Sequence, residues 1–330
     1  MPRSSIRKII ARRPLRAKLI FNATSGHPEE SPQQLVHILA EMQNQQILPE
    51  VYMVRGDSQV EVVVHDAIKA GIKLIVVAGG DGTIDSVAGS LVGRSTVLGI
   101  IPIGTRNNLA FNLGIPTGIA EAVALLRDGR CLKIDVGDVR SGRVKRWFLE
   151  AASMGLLSDL YPVADDIQHG NLTQIGGFLS TLVTAIPSHL RLTLDGHASF
   201  DTTAHLVLIA NMPFLGPNFQ IANDVSFNDN RLDVFVFSDM SKLNLITYAM
   251  QSTGGAGGAA EDTRIKHYRA KHLTIKSDPP MTLLSDGMPL GQGSITARIH
   301  RHALTVVAGA VLRGETVASL VTDPKAKSGG

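Results

Sequence analysis

The chain is 330 residues long with a net charge of +3, and 44% of its residues are hydrophobic, which is enough to build one large core or two medium ones. Its single cysteine, Cys131, excludes a disulfide framework and zinc sites built on paired cysteines, and we expect this thiol to be buried and inert. Aromatic residues make up only 5% of the chain, which argues against a nucleic-acid-binding protein that stacks bases.

Positive charge is concentrated at the N-terminus, where residues 1–18 carry seven basic side chains and no acidic one. We expect residues 1–16 to form a flexible basic arm that either is solvated or lies on an anionic membrane surface. No apolar run reaches the roughly 20 residues of a membrane-spanning helix, and no secretion signal is evident. These patterns predict a cytoplasmic protein whose membrane association, if any, is peripheral and on the inner face.

Strand and helix signals alternate through the first part of the chain. Apolar runs predict strands at 18–21, 51–54, 73–78 and 97–101, and apolar residues at helical spacing predict helices around 35–42 and at 60–70, 84–91 and 119–126. This alternation is typical of a parallel sheet covered by helices. We therefore predict an α/β, Rossmann-like nucleotide-binding domain over residues 17–135.

The pattern changes after residue 131, where short strand-like runs separated by turn residues predict a β-sandwich domain over residues 136–312. We expect the last segment, 313–330, to pack back on the first domain or to fray, and the oligomeric state stays open between a monomer and a homodimer. Helices are predicted at 172–185 and 243–250, and strands at 134–139, 147–152, 191–194, 206–211, 232–237, 273–276, 281–284, 295–299 and 303–307.

A glycine-rich turn, Gly79-Gly80-Asp81-Gly82-Thr83, directly follows the buried strand predicted at 73–78. Glycines let the backbone approach a phosphate, and the helix that follows offers unpaired N–H groups and the positive end of its dipole. Thr83 can add a hydroxyl donor. Asp81 would repel a phosphate, so it suggests work with a metal ion, a hydroxyl or a ribose; the alternative is that it only caps the helix.

Two further loops leave neighbouring strands at the same edge of the predicted sheet, residues 22–26 after the first strand and residues 104–108 after the strand that follows the glycine turn. Ligands bind at the carboxyl ends of parallel strands in open α/β sheets. Neither the phosphate-binding loop that ends in Gly-Lys-Ser/Thr nor the Gly-x-Gly-x-x-Gly fingerprint of dehydrogenases is present. The three converging loops therefore predict a nucleotide site of a different type.

These segments resemble the diacylglycerol kinase catalytic-domain superfamily, especially its bacterial lipid kinases and more distantly sphingosine and ceramide kinases. The family's Asn-Pro-x-Ser-Gly is present at 22–26 without its proline, Gly-Gly-Asp-Gly-Thr-x-Asn/Asp at 79–85, and Pro-x-Gly-Thr-x-Asn-Asp-Phe/Leu-Ala at 102–110. Weaker similarity at 153–155, 210–216, 228–233 and 284–288 extends the resemblance over residues 17–310.

The resemblance implies an α/β domain and a β-sandwich domain with ATP in the cleft between them. It implies an ATP- and Mg²⁺-dependent kinase that phosphorylates a diacylglycerol- or sphingosine-like lipid hydroxyl at a membrane surface. The residues it places at the nucleotide are Asn22, Ser25, Gly26, Gly79, Gly80, Asp81, Gly82, Thr83, Gly104, Thr105 and Asn107.

The resemblance also implies a general base and a structural metal site in the second domain. Asp286 would take the proton from the lipid hydroxyl, with Asp81 as a competing candidate for the base, although the dipeptide Asp286-Gly287 by itself is more typical of a turn. Asp229 would bind a structural magnesium ion together with the main-chain carbonyls of Ser226 and Arg231.

Two positions depart from the family pattern, since Met288 stands where bacterial relatives carry glutamate and Asn108 where aspartate is usual. The expected site thereby lacks two carboxylates. The catalysis then either relies more on Asp81 and Asp286, or has drifted in activity or substrate. The alternatives are an NAD kinase, which shares the Gly-Gly-Asp-Gly motif, and a nucleotide- or lipid-binding relative with weakened catalysis.

Overall fold

The computed structural model describes residues 13–26, 28–56, 58–156, 158, 186–215, 220–222, 224–238 and 265–310. Residues 1–12 of the basic arm, the helices expected at 172–185 and 243–250, and the segment 313–330 lie outside the described residues. Within the described part of the chain, no helix is long and apolar enough to cross a membrane.

The first half is a parallel sheet with helices packed against it, as the alternation of apolar runs predicts. The strand order is β2-β1-β3-β4, and every neighbouring pair is parallel. All six residues of β3 are buried, which explains its uninterrupted apolar sequence. The elements are β1 Leu15–Asn22, α1 Ser31–Asn44, β2 Ile47–Val54, α2 Val60–Lys69, β3 Leu74–Gly79, α3 Asp81–Leu91, β4 Val97–Pro102, α4 Asn108–Asn112 and α5 Ile119–Asp128.

The described part of the second half is built from strands. One antiparallel sheet of six has the order β12-β11-β10-β7-β14-β15. The strands are β5 Arg130–Ser141, β6 Val144–Phe148, β7 Ala151–Gly155, β8 Ser188–Leu194, β9 Ala198–Ala204, β10 Leu206–Ala210, β11 Leu232–Phe237, β12 Ile265–Ala270, β13 His272–Asp278, β14 Thr282–Ser285, β15 Met288–Gln292 and β16 Ile295–Ala308.

The two halves share one sheet, because the long strand β16 pairs in parallel with β4 and antiparallel with β5 and β13. The parallel sheet of the first half thereby continues into a ten-stranded mixed sheet. Its far end packs against the six-stranded sheet, and buried residues from both, such as Phe148 and Ile275 from one and Met154 and Val234 from the other, form the sandwich core. The predicted class, an α/β domain followed by a β-sandwich, is confirmed.

Several local predictions are wrong in ways that matter for the site. The helix after the glycine turn begins at Asp81 rather than at 84, so the turn itself forms the first helical residues. The strand expected at 147–152 is two strands, β6 and β7, interrupted at Leu149-Glu150. Cys131 is exposed, because the first residues of β5 lie at the surface.

The buried carboxylate of Asp135 ties distant segments together near the junction of the two halves. Its Oδ2 accepts the backbone N–H of Asn230 and its Oδ1 that of His302, each at 2.6 Å. The Asn211 side-chain amide donates to the carbonyl oxygens of Asp135 at 3.0 Å and of Leu149 at 2.8 Å. These polar contacts fix the position of residue 149 and of the residues that follow it.

Candidate active site

The three loops predicted to converge do meet at the carboxyl ends of β1, β3 and β4. The Ser25 hydroxyl accepts the backbone N–H of Gly80 at 3.0 Å, and the Asn22 side-chain amide donates to the Thr83 hydroxyl at 2.8 Å. The loop after β1 is therefore fastened to both ends of the glycine turn. The Ser25 hydroxyl and the hydroxyl of Thr83, which is itself in the turn, therefore help to hold the glycine turn in shape.

Close packing between the loops requires glycine at two positions. A Cβ on Gly104 would lie 2.4 Å from the Cα of Gly80, and a Cβ on Gly26, whose φ is +66°, would lie 2.2 Å from the carbonyl oxygen of Ile103. A Cβ on Gly82, by contrast, would meet no atom within 4 Å, and this residue is exposed. Of these three glycines, Gly82 alone offers open space, and it does so at the start of α3.

Asn107 shapes the loop after β4. It has a left-handed backbone with φ +53°, its Oδ1 accepts the N–H of Gly104 at 3.0 Å, and its Nδ2 donates to the carbonyl of the same residue at 2.7 Å. Because the side chain closes its own loop, its amide is already engaged at both ends. Thr105, two residues before it in this loop, is exposed.

Asp81 opens α3, and its carboxylate points across to the loop after β4. Its Oδ1 accepts the backbone N–H of Asn108 at 2.9 Å. Burial raises the pKa of Asp81, although the N–H groups of Asn108, Asn107 and Leu109 oppose that rise. The aspartate therefore links the glycine turn to the start of α4.

Asp286 lies at the turn between β14 and β15, where Asp286 and Gly287 both have positive φ, +43° and +76°, as a two-residue hairpin of the I′ type requires. The Asp286 carboxylate accepts three consecutive backbone N–H groups, from Leu149 at 2.6 Å, Glu150 at 3.1 Å and Ala151 at 2.9 Å. The residue is thus both a turn former and a firmly oriented carboxylate. The interruption between β6 and β7 is what frees these three donors.

The pKa of Asp286 is raised to about 6, chiefly by burial, while the three N–H donors lower it and the Asp81 carboxylate adds to the rise. A carboxylate offers about four acceptor positions, so three N–H bonds leave room for one more proton. A carboxylate with these properties is mostly ionised at neutral pH and can accept a proton.

Two further carboxylates, Asp85 and Glu150, share this region. Burial, and then the charges of Asp286 and Asp81, raise the pKa of Asp85 well above its usual value. Burial, followed by the charges of Asp286, Asp85 and Asp81, does the same to the pKa of Glu150. Acidic side chains from both halves of the molecule therefore lie close enough for their charges to raise one another's pKa values.

Sequence reasoning missed Glu150. The signal was present, because Glu150 is a charged residue inside the apolar run Trp147–Ala152, and a glutamate is rarely buried without a reason. Met288, at the position where a second catalytic-site carboxylate is usual, is 45% exposed. The structure thus has an acidic residue at 150 that the motif comparison did not anticipate.

At the expected metal site, the charge of the Asp229 carboxylate is already balanced by groups of the protein. The Asp229 Oδ1 accepts the N–H of Arg231 at 3.0 Å, and its Oδ2 pairs with the Arg269 guanidinium, which also contacts Asp233 at 3.2 Å. The Ser226 hydroxyl donates to Asn228 at 2.9 Å. A cation bound by Asp229 would have to displace Arg269, so these residues do not fit a metal ion as they stand. Among the described residues, no three or more His, Cys, Asp or Glu are grouped to hold one.

Two family models match the chain, the diacylglycerol kinase catalytic domain over residues 16–139 and the YegS C-terminal NAD kinase beta sandwich-like domain over residues 158–308. A diacylglycerol kinase from Bacillus subtilis is 28% identical over 284 residues, covering 82% of this chain and 89% of that protein. A diacylglycerol kinase from Mycobacterium tuberculosis is 28% identical over 247 residues, covering 71% of this chain and 79% of that protein.

The crystal structure of a diacylglycerol kinase from Bacillus anthracis has the same fold, with a TM-score of 0.70 at 21% identity over 90% of this chain and 98% of that chain. The chain belongs to the diacylglycerol kinase catalytic-domain superfamily, a family of lipid phosphotransferases. Membership in this family implies ATP as the phosphate donor.

Proposed function

We propose that this protein transfers the γ-phosphate of ATP to the hydroxyl group of a diacylglycerol- or sphingosine-like lipid, with Asp286 as the general base. The observation that carries the proposal is the Asp286 carboxylate, which is oriented by three backbone N–H groups and lies in the same acidic cluster as Asp81 of the glycine turn. One side of the cluster offers a phosphate-binding turn and the other an oriented base.

The nucleotide would bind with its phosphates at the glycine turn. Gly82 leaves the start of α3 open, and the helix contributes N–H groups and the positive end of its dipole. The four carboxylates nearby would repel a bare triphosphate. Mg²⁺ is commonly held by one or two carboxylates together with substrate phosphates, so Asp81 with the phosphates of bound ATP would hold it here, and it would supply the positive charge that screens the phosphates.

In the reaction, the lipid hydroxyl oxygen forms a bond to the γ-phosphorus while the bond from that phosphorus to the β–γ bridging oxygen breaks, and ADP leaves. Asp286 takes the hydroxyl proton at its remaining acceptor position. A pKa of about 6 suits a base that must be ionised at neutral pH. Asp81 lies on the nucleotide side of the cluster, and its bond to Asn108 keeps the glycine turn and the next loop in register.

A lipid acceptor is supported by the names of the relatives from Bacillus subtilis and Mycobacterium tuberculosis, both diacylglycerol kinases. It is also supported by a basic hairpin, formed by residues 140–147 at the end of β5 and in β6. This segment contains Arg140, Arg143, Lys145 and Arg146 and no acidic residue, and Val144 beside its turn is 44% exposed. A basic hairpin with an apolar tip is complementary to an anionic bilayer.

The basic hairpin is costly for the isolated protein. Arg140 lies directly opposite Lys145 in the ladder, and like charges at such positions are destabilising. Only partial relief comes from Asp138, which pairs with Arg140 at 3.2 Å, and from the ring of Trp147, whose centroid lies 4.1 Å from Lys145 Nζ. An anionic membrane surface would offset the remaining repulsion. The protein would then work peripherally at the inner face of the membrane.

The test of the function is direct. Purified protein is incubated with ATP, Mg²⁺ and vesicles that contain diacylglycerol, sphingosine or ceramide, with NAD as a parallel acceptor, and ATP binding is measured separately. We expect phosphate transfer to a lipid and none to NAD. Tight ATP binding without transfer to any acceptor would instead identify a non-catalytic relative, and NADP formation would identify an NAD kinase.

Two variants assign the roles. Asp286→Asn should lower kcat by about 10²- to 10⁴-fold with ATP binding retained, since the proton acceptor is lost. Asp81→Asn should abolish turnover without unfolding the protein; unchanged activity would remove Asp81 from the mechanism. Asp66→Asn, an exposed aspartate on α2, is the matched control and should leave kcat unchanged.

A further inference from the structure

Glu150 is held at both ends of its backbone. It lies in the interruption between β6 and β7 and is 5% exposed. Its N–H donates to Asp286 Oδ1 at 3.1 Å, and its carbonyl oxygen accepts the N–H groups of Asn211 at 2.8 Å and Met212 at 3.2 Å. The direction of its side chain is therefore fixed by the sandwich half of the molecule.

The Glu150 carboxylate reaches across to the nucleotide half, where it accepts a hydrogen bond from the side chain of Asn108. The backbone N–H of Asn108 in turn donates to Asp81 Oδ1 at 2.9 Å. Asp286 is thus linked to Asp81 in three steps. The backbone N–H of Glu150 bonds Asp286, the Glu150 and Asn108 side chains bond each other, and the backbone N–H of Asn108 bonds Asp81. The path joins the base in one half to the nucleotide turn in the other.

A carboxylate is an expensive choice for this position. Burial and the charges of three neighbouring carboxylates raise the pKa of Glu150 well above its usual value, so this side chain is hard to ionise where it lies. A glutamine of the same shape would reach Asn108 without that cost. The position of Glu150 therefore indicates a requirement for acidity at the junction, not only for a spacer of the right length.

The identity of residue 108 indicates why an acidic side chain is required at the junction. Residue 108 is an asparagine, so the loop after β4 contributes an amide at this point instead of a carboxylate. Glu150 brings a carboxylate to the same contact from the opposite half of the molecule. The contact therefore pairs one carboxylate, from Glu150, with one amide, from Asn108.

We propose that Glu150 is a positioning residue of the phosphotransfer site, which joins Asp81 to Asp286 through Asn108 and supplies at that contact the carboxylate that residue 108 lacks. This proposal rests on the kinase function proposed above. Its consequence is that the acidic and amide partners are interchangeable, whereas loss or duplication of the carboxylate is harmful.

The experiment exchanges the two groups in the full chain. Glu150→Gln keeps the shape and removes the acid, and we expect kcat to fall at least about tenfold with KM for ATP changed by less than about threefold. Asn108→Asp adds a fifth carboxylate to the cluster, and we expect a lower kcat and a lower Tm. The double variant Asn108→Asp/Glu150→Gln restores one acid and one amide, and its kcat should return to within about threefold of the wild type.

Glu61→Gln, an exposed glutamate on α2, is the control and should leave kcat and Tm unchanged. A kcat of Glu150→Gln equal to that of the wild type would overturn the proposal. So would a double variant whose kcat loss equals the product of the two single losses, because independent sites behave in that way. A merely structural role would lower Tm and kcat together in Glu150→Gln, without rescue by Asn108→Asp.

A second measurement separates this proposal from the proposed function. Hydrogen exchange of segments 104–112 and 284–288 and the Tm values of the four proteins require no turnover. We expect Glu150→Gln to change the exchange rates of both segments, and the double variant to restore the wild-type rates and to have a non-additive Tm. A wild type that phosphorylates no acceptor would refute the kinase function alone, whereas unchanged exchange with additive Tm shifts would refute the role of Glu150 alone.

Discussion

The backbone N–H of Leu149 donates to Asp286 Oδ2 at 2.6 Å, the shortest of the three N–H bonds that hold this carboxylate. The donor belongs to the interruption between β6 and β7, and the acceptor to a hairpin turn in the six-stranded sheet that also contains β7. Neighbouring strands therefore fix the carboxylate of the proposed base without any substrate, which is the condition for an oriented proton acceptor.

The pH dependence of activity follows from Asp286. Its pKa is about 6, and only the ionised carboxylate can accept the hydroxyl proton. We expect kcat to be level above pH 7 and to fall about tenfold per pH unit well below 6. A pH series with saturating ATP and lipid measures this. An acid limb near pH 4 would mean that a carboxylate with an ordinary pKa limits the reaction.

Stability should respond to pH in the opposite sense. The folded-state pKa of Asp286 lies above the usual value of 3.8, so this group contributes stability below pH 4 that is lost as pH rises through about 6. The raised pKa values of Asp85 and Glu150 act in the same direction. As pH falls from 7.5 to about 5.5, we expect the Tm of the wild type to rise, and the Tm of Asp286→Asn to rise less. A Tm that falls over this window would contradict the raised values.

Local sequence patterns were sufficient to predict the nucleotide half and its three loops. The signals are confined to short segments, so the structure there follows from nearby residues. They are the apolar runs of β3 and β4 and the residues Gly79, Gly80, Gly82 and Gly104. The glycine turn by itself also indicates Asp81 as a functional residue, whereas Asp286 is a candidate base only through the family resemblance, and the roles of both remain proposals.

The contacts around Asp286 could not be predicted in the same way. Its three N–H donors lie 135 to 137 residues earlier in the chain, in a run that alternates like one continuous strand. The interruption at Leu149-Glu150 is imposed by tertiary contacts, since the Asn211 side chain donates to the Leu149 carbonyl and the Asn211 backbone N–H donates to the Glu150 carbonyl.

The two kinds of glycine in the nucleotide loops can be distinguished by substitution. Gly104→Ala would place a methyl group 2.4 Å from the Cα of Gly80, and we expect a loss of stability of about 1–3 kcal/mol together with weaker ATP binding. Gly82→Ala meets no atom within 4 Å and should stabilise α3 by up to about 1 kcal/mol. If phosphates approach Gly82 closely, the added methyl group of Gly82→Ala should obstruct them, and KM for ATP should rise although the helix is more stable. Denaturant unfolding and ATP titration of both variants test this, and an unchanged KM for Gly82→Ala would place the phosphates elsewhere.

Asn211 should be a stability residue for the junction between the halves. Its amide donates to two buried carbonyl oxygens, those of Asp135 and Leu149, and Asn211→Ala would leave both without this donor. We expect a loss of about 2–4 kcal/mol in the free energy of unfolding, and a fall in kcat because Leu149 and Glu150 carry donors to Asp286. Asn44→Ala, an exposed asparagine at the end of α1, should change neither. Full activity in Asn211→Ala would show that the interruption between β6 and β7 is fixed without it.

The basic hairpin should control binding to anionic membranes. Each cation near an anionic surface contributes about 1 kcal/mol, so Arg143→Glu/Arg146→Glu should weaken partitioning onto phosphatidylglycerol vesicles at least about 30-fold. Lys266→Glu/Lys276→Glu alters two exposed lysines on β12 and β13, produces the same net charge, and should have a much smaller effect. Vesicle sedimentation without ATP measures binding independently of catalysis, and raised salt should weaken it. Equal losses in the two double variants would mean that only the net charge matters.

Arg269 should make the region of Asp229 independent of a metal ion. Its guanidinium contacts Asp229 and also Asp233, and both carboxylates therefore have a positive partner from the protein. Without nucleotide, we expect the Tm of the wild type to be the same in EDTA and in millimolar Mg²⁺. Arg269→Ala removes the partner of a buried carboxylate, so its Tm should fall by several degrees and should now rise when Mg²⁺ is added. If Mg²⁺ instead raises the Tm of the wild type by several degrees, then Asp229 holds a structural metal ion, as the family resemblance implies, and Arg269 moves aside to admit it.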